Sequence, residues 1–212
     1  MNILVFGANG DVGSRVVNEA LSRNHSVHAV IRNKDQISKL PENVTAIVTE
    51  VSDDADLVPV MEQADTVISA LRPPRGSEPM LVPLTRKILS SARLANTPIV
   101  VVGGAAILKI PGKTTTVLTE PGFLPSDVVP IATACQQQSL LFEDYDDMAW
   151  SYLCPPAMLL RGTRTGEYRL GSDTLVTDKD GISQISMEDF AVALVDEAEQ
   201  KRHNKRFFTV AY

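Results

Sequence analysis

Seven residues, Gly7-Ala8-Asn9-Gly10-Asp11-Val12-Gly13, constrain this chain more than any others. They follow directly on a β-rich apolar run, Asn2-Ile3-Leu4-Val5-Phe6. They lead straight into a helical pattern over 12–22, with Val12, Val16, Val17, Ala20 and Leu21 on one face. Strand, spaced glycines, helix: this order gives a tight turn and close approach to bare backbone. It also leaves a helix N-terminus whose free N–H groups face an anion. The spacing is Gly-x-x-Gly-x-x-Gly rather than Gly-x-Gly-x-x-Gly, but the context is the one a dinucleotide fingerprint requires. The plain alternative is a glycine turn that only packs helix on strand.

The rest of the chain repeats the alternation. Further apolar runs occur at 26–31, 44–48, 66–69, 99–102, 150–153 and 207–210, and they read as strands buried on both faces of a parallel sheet. Helical patterns fill the gaps at 54–63, 80–94, 127–143 and 186–199. The last opens Ser186-Met187-Glu188-Asp189, an N-cap with an acid three residues on. Such alternation predicts an α/β chain with one doubly wound, mostly parallel sheet of the Rossmann type. Two segments interrupt it. Residues 109–127 are rich in Pro, Gly and Thr and read as a long loop over the carboxyl edge of the sheet. Residues 161–181 read as a small antiparallel hairpin, with 166–170 and 174–177 around Gly171-Ser172-Asp173. A single domain over 1–212 with a substrate-side cap is expected.

Composition excludes several classes. With 20 Lys and Arg against 26 Asp and Glu, the net charge is −6, the wrong sign for a nucleic-acid surface. The longest apolar run, near 99–108, falls short of the roughly 20 residues that cross a bilayer. The N-terminus lacks the early positive charge of a signal peptide, so a cytoplasmic location is expected. Only Cys135 and Cys154 occur, which fits a reducing compartment and core thiols. His25 and His28 lack companion ligands for a metal and read as solvated.

Residues after the second strand speak to the nucleotide. An Asp or Glu about 20 residues beyond the last glycine would hold a ribose 2′-OH. Here that place is taken by Arg32, with Lys34 nearby, which suits a 2′-phosphate and favours NADP(H) over NAD(H). In the loop after strand four, Arg72 and Arg75 flank Pro73-Pro74. They read either as a clamp on pyrophosphate or anionic substrate, or as solvated charge. Phe123 reads as a stacking surface for an aromatic substrate or as part of a hydrophobic lid.

The segments Asn2–Gly10, Ile31-Arg32-Asn33 and Val67-Ile68-Ser69-Ala70-Leu71 resemble the atypical short-chain dehydrogenases. So do Pro155-Pro156-Ala157, 164–171, 185–191 and 206–212. Within that group the chain resembles the NmrA-like and biliverdin-reductase-B-like NAD(P)H-binding proteins, and most of all the bacterial NADH-flavin reductase group. The resemblance spans the chain. It implies that Gly7, Asn9, Gly10, Asp11, Val12 and Gly13 hold the pyrophosphate, and that Arg32 with Asn33 holds the 2′-phosphate. It further implies that Ser52 and Asp53 flank the adenine and that Ala70 and Leu71 lie along the ribose. Pro155, Pro156 and Ala157 would meet the nicotinamide carboxamide through backbone groups, and Gly104 and Ala105 would face the substrate beside Arg72.

Two departures shape the expected chemistry. The Tyr-x-x-x-Lys pair of short-chain dehydrogenases is missing, since Tyr145, Tyr152 and Tyr168 are followed four residues on by Ala149, Pro156 and Ser172. The family's Gly-Gly-Ala-Gly-Ser segment is Gly103-Gly104-Ala105-Ala106-Ile107 here, without the serine. No catalytic residue is assigned. Without an acid for carbonyl reduction, the acceptor expected is one already electrophilic, such as a flavin or quinone. The alternatives are a non-catalytic NADP(H) sensor, or a reductase or isomerase of one small metabolite. The expected partner is a small-molecule substrate, with neither nucleic acid nor membrane, and the chain a monomer or homodimer.

Overall fold

A computed structural model describes every residue except Asp53. In chain order the elements are β1 (Asn2–Phe6), α1 (Asp11–Ser22), β2 (Ser26–Ile31), β3 (Val44–Val48), α2 (Val58–Met61), β4 (Thr66–Ser69), α3 (Leu81–Leu94) and β5 (Ile99–Val102). After these come α4 (Val129–Leu140), β6 (Trp150–Cys154), β7 (Met158–Leu160), β8 (Arg169–Gly171), β9 (Gln184–Ser186), α5 (Met187–Gln200) and β10 (Arg206–Ala211). Eight strands form one sheet in the order β3-β2-β1-β4-β5-β6-β10-β8, parallel except for β8. This is the Rossmann-like doubly wound fold. The direction of winding changes between β1 and β4, which is where open α/β sheets bind ligands.

Alternate residues of the central strands serve opposite cores, which is why their runs read as continuously apolar. On β1, Leu4 and Phe6 face a core shared with α2 and α3 (Met61, Ile88, Leu89), while Ile3 and Val5 face a core shared with α1 and α5 (Val16, Val17, Phe190, Leu194). On β6, Trp150 and Tyr152 pack with Phe142 and Phe207 in a set of tilted and edge-on rings, 4.6–5.8 Å between centroids.

Prolines set the helix starts. The expected helix 54–63 shrinks to α2, because Pro59 is tolerated only in a first turn. Pro130 likewise delays α4 to Val129, and the expected stretch to 143 ends in a 3₁₀ turn, Leu141–Asp144. α5 begins as its cap predicts: Ser186 Oγ accepts the Asp189 N–H at 2.9 Å.

The expected hairpin within 161–181 does not form. β8 pairs antiparallel with β10, Leu170 opposite Val210, and not with 174–177. Thr174 instead bridges Lys109, whose N–H donates to Asp173 O at 2.8 Å. β10 offers β8 a full edge of unpaired backbone groups inside a covered sheet, and a local turn cannot compete with that. The separate two-stranded sheet that does form joins β7 and β9 in parallel. Before β8 the chain crosses α1 and α5: Arg164 pairs with Glu19, and Tyr168 Oη meets Asp196 at 2.5 Å.

Candidate dinucleotide site

The loop between β1 and α1 is built by contact between backbones. Gly7 has φ +76° and lies so close to β4's continuation that an added Cβ would stand 2.5 Å from Ala70 O. The Ala70 N–H donates to Phe6 O at 2.9 Å, which fixes this approach from the other side. Gly10 N–H closes the turn on Gly7 O at 2.9 Å. Gly10 is also the N-cap of α1, extended and without a side chain to accept the first-turn amides. The three glycines therefore leave bare N–H groups at the positive end of a twelve-residue helix. That arrangement fits a diphosphate.

Asp11 opens α1, and its carboxylate carries the wrong sign for an anion site. Arg161, just beyond β7, pairs with it at 2.8 Å (Nη2 to Oδ1), with both side chains largely exposed. Arg15 ties the same corner to α5 through Glu188 at 2.6 Å, and Glu188 also accepts the Gly162 N–H at 2.8 Å. Sequence reasoning missed Arg161, because nothing local marks it as a neighbour of a residue so far back in the chain.

Beyond β2, Arg32, Asn33 and Lys34 are exposed. Among the described residues the Arg32 guanidinium has no hydrogen-bond or ion-pair partner, while its N–H donates to Gln36 Oε1 at 2.9 Å. The side chain of Asn9 donates from Nδ2 to Gln36 O at 3.2 Å. Asn9 therefore faces the β2 loop with its amide, and it is the loop's backbone that is left for an anion. Ser52 is exposed beyond β3, and Asp53 lies outside the described residues.

Further along the edge, Ala70 is buried and Leu71 half-buried beside Gly7. Arg72 is exposed, and Arg75 meets Asp127 at 3.5 Å, an exposed pair worth little. The turn after β6 holds Pro155, Pro156 and Ala157. Its single N–H, that of Ala157, donates to Ser183 Oγ at 3.3 Å. This turn can therefore offer a carboxamide carbonyl oxygens only. Phe123 is 37% exposed on the loop after β5.

Under the end of β5 lies a closed polar chain. Tyr152 is fully buried; its hydroxyl donates to Gln138 Oε1 at 2.9 Å and accepts the Gly104 N–H at 3.3 Å. Gln138 Nε2 passes the chain to Thr85 Oγ1 at 2.9 Å, and Thr85 to Leu81 O at 2.7 Å. The ring explains Gly103, where an added Cβ would stand 1.8 Å from Tyr152 Cε1. Cys135 explains Gly104, with Sγ 2.7 Å from the corresponding point. Burial holds the Tyr152 phenol well above its ordinary range. Burial also lifts the Cys135 thiol to about 11, opposed by the charge of Arg72, and lifts Cys154 further. None of the three is an acid or nucleophile at neutral pH. His25, expected to be solvated, instead bonds Glu199 at 2.7 Å at the far edge of the sheet, where it bridges α5 to the chain's first residue.

Among the described residues no helix is long and apolar enough to cross a membrane. The chain is similar over 99% of its length to YwnB of Bacillus subtilis (strain 168), 34% identical over 218 residues and 98% of that protein. A protein of Burkholderia pseudomallei, provisionally described as exported, shares 34% identity and superposes with a TM-score of 0.89, with both chains fully covered. SP1627 of Streptococcus pneumoniae TIGR4, provisionally described as an NADH-flavin reductase, shares 29% identity. Its TM-score is 0.85, over 100% of this chain and 99% of that one. A family model described as NAD(P)H-binding matches residues 7–198, from the first glycine of the loop into the end of α5. With the loop geometry, this coverage places the chain in the NAD(P)H-binding family.

Proposed function

We propose that this protein is an NADPH-dependent oxidoreductase that reduces a planar conjugated acceptor, a flavin or a quinone. A bound reduced nicotinamide dinucleotide would supply the hydride. The chain's own residues bind and orient. The amides at the start of α1 hold the pyrophosphate, and Arg32 holds the 2′-phosphate. The carbonyls at Pro155 and Pro156 take the carboxamide, and the Gly103-Gly104 turn forms a flat floor without side chains.

The observation that carries the choice of acceptor is the state of Tyr152. It is the tyrosine beside the floor, yet its hydroxyl is committed to Gln138 and Gly104 and shut away from solvent. This phenol is thereby not offered to a substrate carbonyl, so an acceptor that needs no protein acid, with its proton drawn from water, is favoured. The description of SP1627 agrees with this reading. The test is NADPH oxidation with FMN, riboflavin and a soluble quinone as acceptors. Turnover with at least one, faster than with aliphatic aldehydes or ketones, is the expected result. Tight NADPH binding with no turnover on any of them would leave a sensor in place of an enzyme.

A further inference from the structure

We infer that Gln36 is a positioning residue that holds Arg32 at a fixed distance from the phosphate loop, and that it thereby sets the preference for a 2′-phosphorylated dinucleotide. The inference rests on the reading of Arg32 given above and deepens it.

Gln36 lies in the 3₁₀ turn Lys34–Lys39 and is half-buried in an otherwise exposed run, 32–39. Three of its groups are engaged. Its N–H donates to Asn33 O at 3.2 Å, its Oε1 accepts the Arg32 N–H at 2.9 Å, and its carbonyl accepts Asn9 Nδ2 at 3.2 Å. The first two close residues 32–36 into a small ring. Such a ring fixes the backbone of Arg32 and so the direction in which its side chain leaves. The third bond ties that ring to the loop at Asn9, between Gly7 and Gly10. One residue thus clamps the two loops that would hold the two ends of the same nucleotide half.

The requirement is geometric. In NADPH the pyrophosphate and the 2′-phosphate are joined through one ribose, so their separation is nearly constant. A guanidinium gains from a second phosphate only if it stands at the matching distance from the amides that hold the first. An Arg on a loose surface turn would lose part of each charge-assisted bond to side-chain and backbone disorder. NADH lacks the 2′-phosphate, so it makes no use of this spacing.

The experiment measures Kd for NADPH and NADH by calorimetry on the full chain, for wild type, Gln36→Met, Arg32→Ala and the double variant. Gln36→Met keeps the length and the backbone carbonyl but removes the acceptor for Arg32 N–H. Gln36→Asn, which shortens the reach while staying polar, serves as the second variant should Met disturb the surface. The ratio of Kd(NADH) to Kd(NADPH) is expected to drop about fivefold in either Gln36 variant. In the Arg32→Ala background the same change should move the ratio no further, the signature of two residues acting as one. Equal weakening of both dinucleotides overturns the inference, because it makes Gln36 a general brace of the loop. An undiminished effect of Gln36→Met in the Arg32→Ala background overturns it as well. A wild type that binds NADH as well as NADPH overturns the reading of Arg32, and the role of Gln36 with it.

Discussion

A Cβ built on Gly13 would fall 2.0 Å from the carbonyl oxygen of Gly7, so α1 rests on its own loop at backbone range. By helix propensity alone, alanine at this position would be better by about 1 kcal/mol. The steric conflict reverses the sign, since the blocking atom is backbone and cannot swing away. Gly13→Ala should cost about 3 kcal/mol in urea unfolding. It should also abolish dinucleotide binding by calorimetry, because α1 must retreat from the anion cradle.

Arg32→Asp should invert cofactor preference. It replaces an attraction for a 2′-phosphate with repulsion and supplies a carboxylate for a ribose 2′-OH. At least a tenfold loss of NADPH affinity is expected, about 1.4 kcal/mol or more, with NADH affinity equal or improved. Steady-state KM values for the two cofactors check it.

The Arg161–Asp11 pair is exposed and should add well under 1 kcal/mol to stability. Its effect is expected in binding instead. Arg161→Ala uncovers the Asp11 carboxylate beside the proposed pyrophosphate cradle and should weaken dinucleotide binding about threefold. Adding Asp11→Asn should restore it. A salt titration should shrink both effects, since exposed charges are screened.

Tyr152→Phe leaves the buried Gln138 Oε1 and the half-buried Gly104 N–H without their shared partner. A loss of about 2 kcal/mol of stability is expected. The pH profile of kcat should keep its shape, because a buried, fully bonded phenol contributes no titration between pH 5 and 9.

Acid stability should depend on Glu19. Its carboxylate is buried and takes two bonds from Arg164, at 2.6 and 2.9 Å, with Arg23 beside it. The Arg164 bonds above all hold its pKa below the ordinary value of 4.5, against the opposing effect of burial. A depressed carboxylate stabilises the fold fully above its unfolded value and loses that contribution as pH falls through the folded one. Glu19→Gln should therefore cost about 2 kcal/mol at pH 7 and progressively less below pH 4.5. Melting temperatures of both proteins across pH 3–7 would show the two curves converging at the acid end.

Much of this molecule is legible in the sequence because its central strands are buried on both faces, and β3, only partly buried at the edge, still carries a β-rich apolar run. The runs 2–6, 26–31, 44–48, 66–69 and 99–102 coincide with β1 to β5 residue for residue. Where neighbours in space decide the outcome, the pattern is silent. β7 and β9 are three residues each, too short to show a period, and β8 takes its partner from a distant segment. The glycine loop is legible from its own residues as a tight turn that leaves bare amides at the start of α1. Gln36 does not announce itself, because a polar residue between Asp35 and Ile37 looks like any surface turn until the Arg32 and Asn9 bonds are seen. Tyr152 shows its lack of a lysine partner in the sequence. Its burial follows only from the packing of α4 over β6.

β10 lies between β6 and β8, and among the described strands it is β8's sole neighbour in the large sheet. During synthesis the five strands β1 to β5 can assemble in the order in which they leave the ribosome. β6 must then expose an open edge, and β8 must stay unattached, until residues 206–211 emerge and slot between them. The half of the sheet that carries the glycine loop can thus take shape first, and the half from β6 onward is completed when β10 inserts.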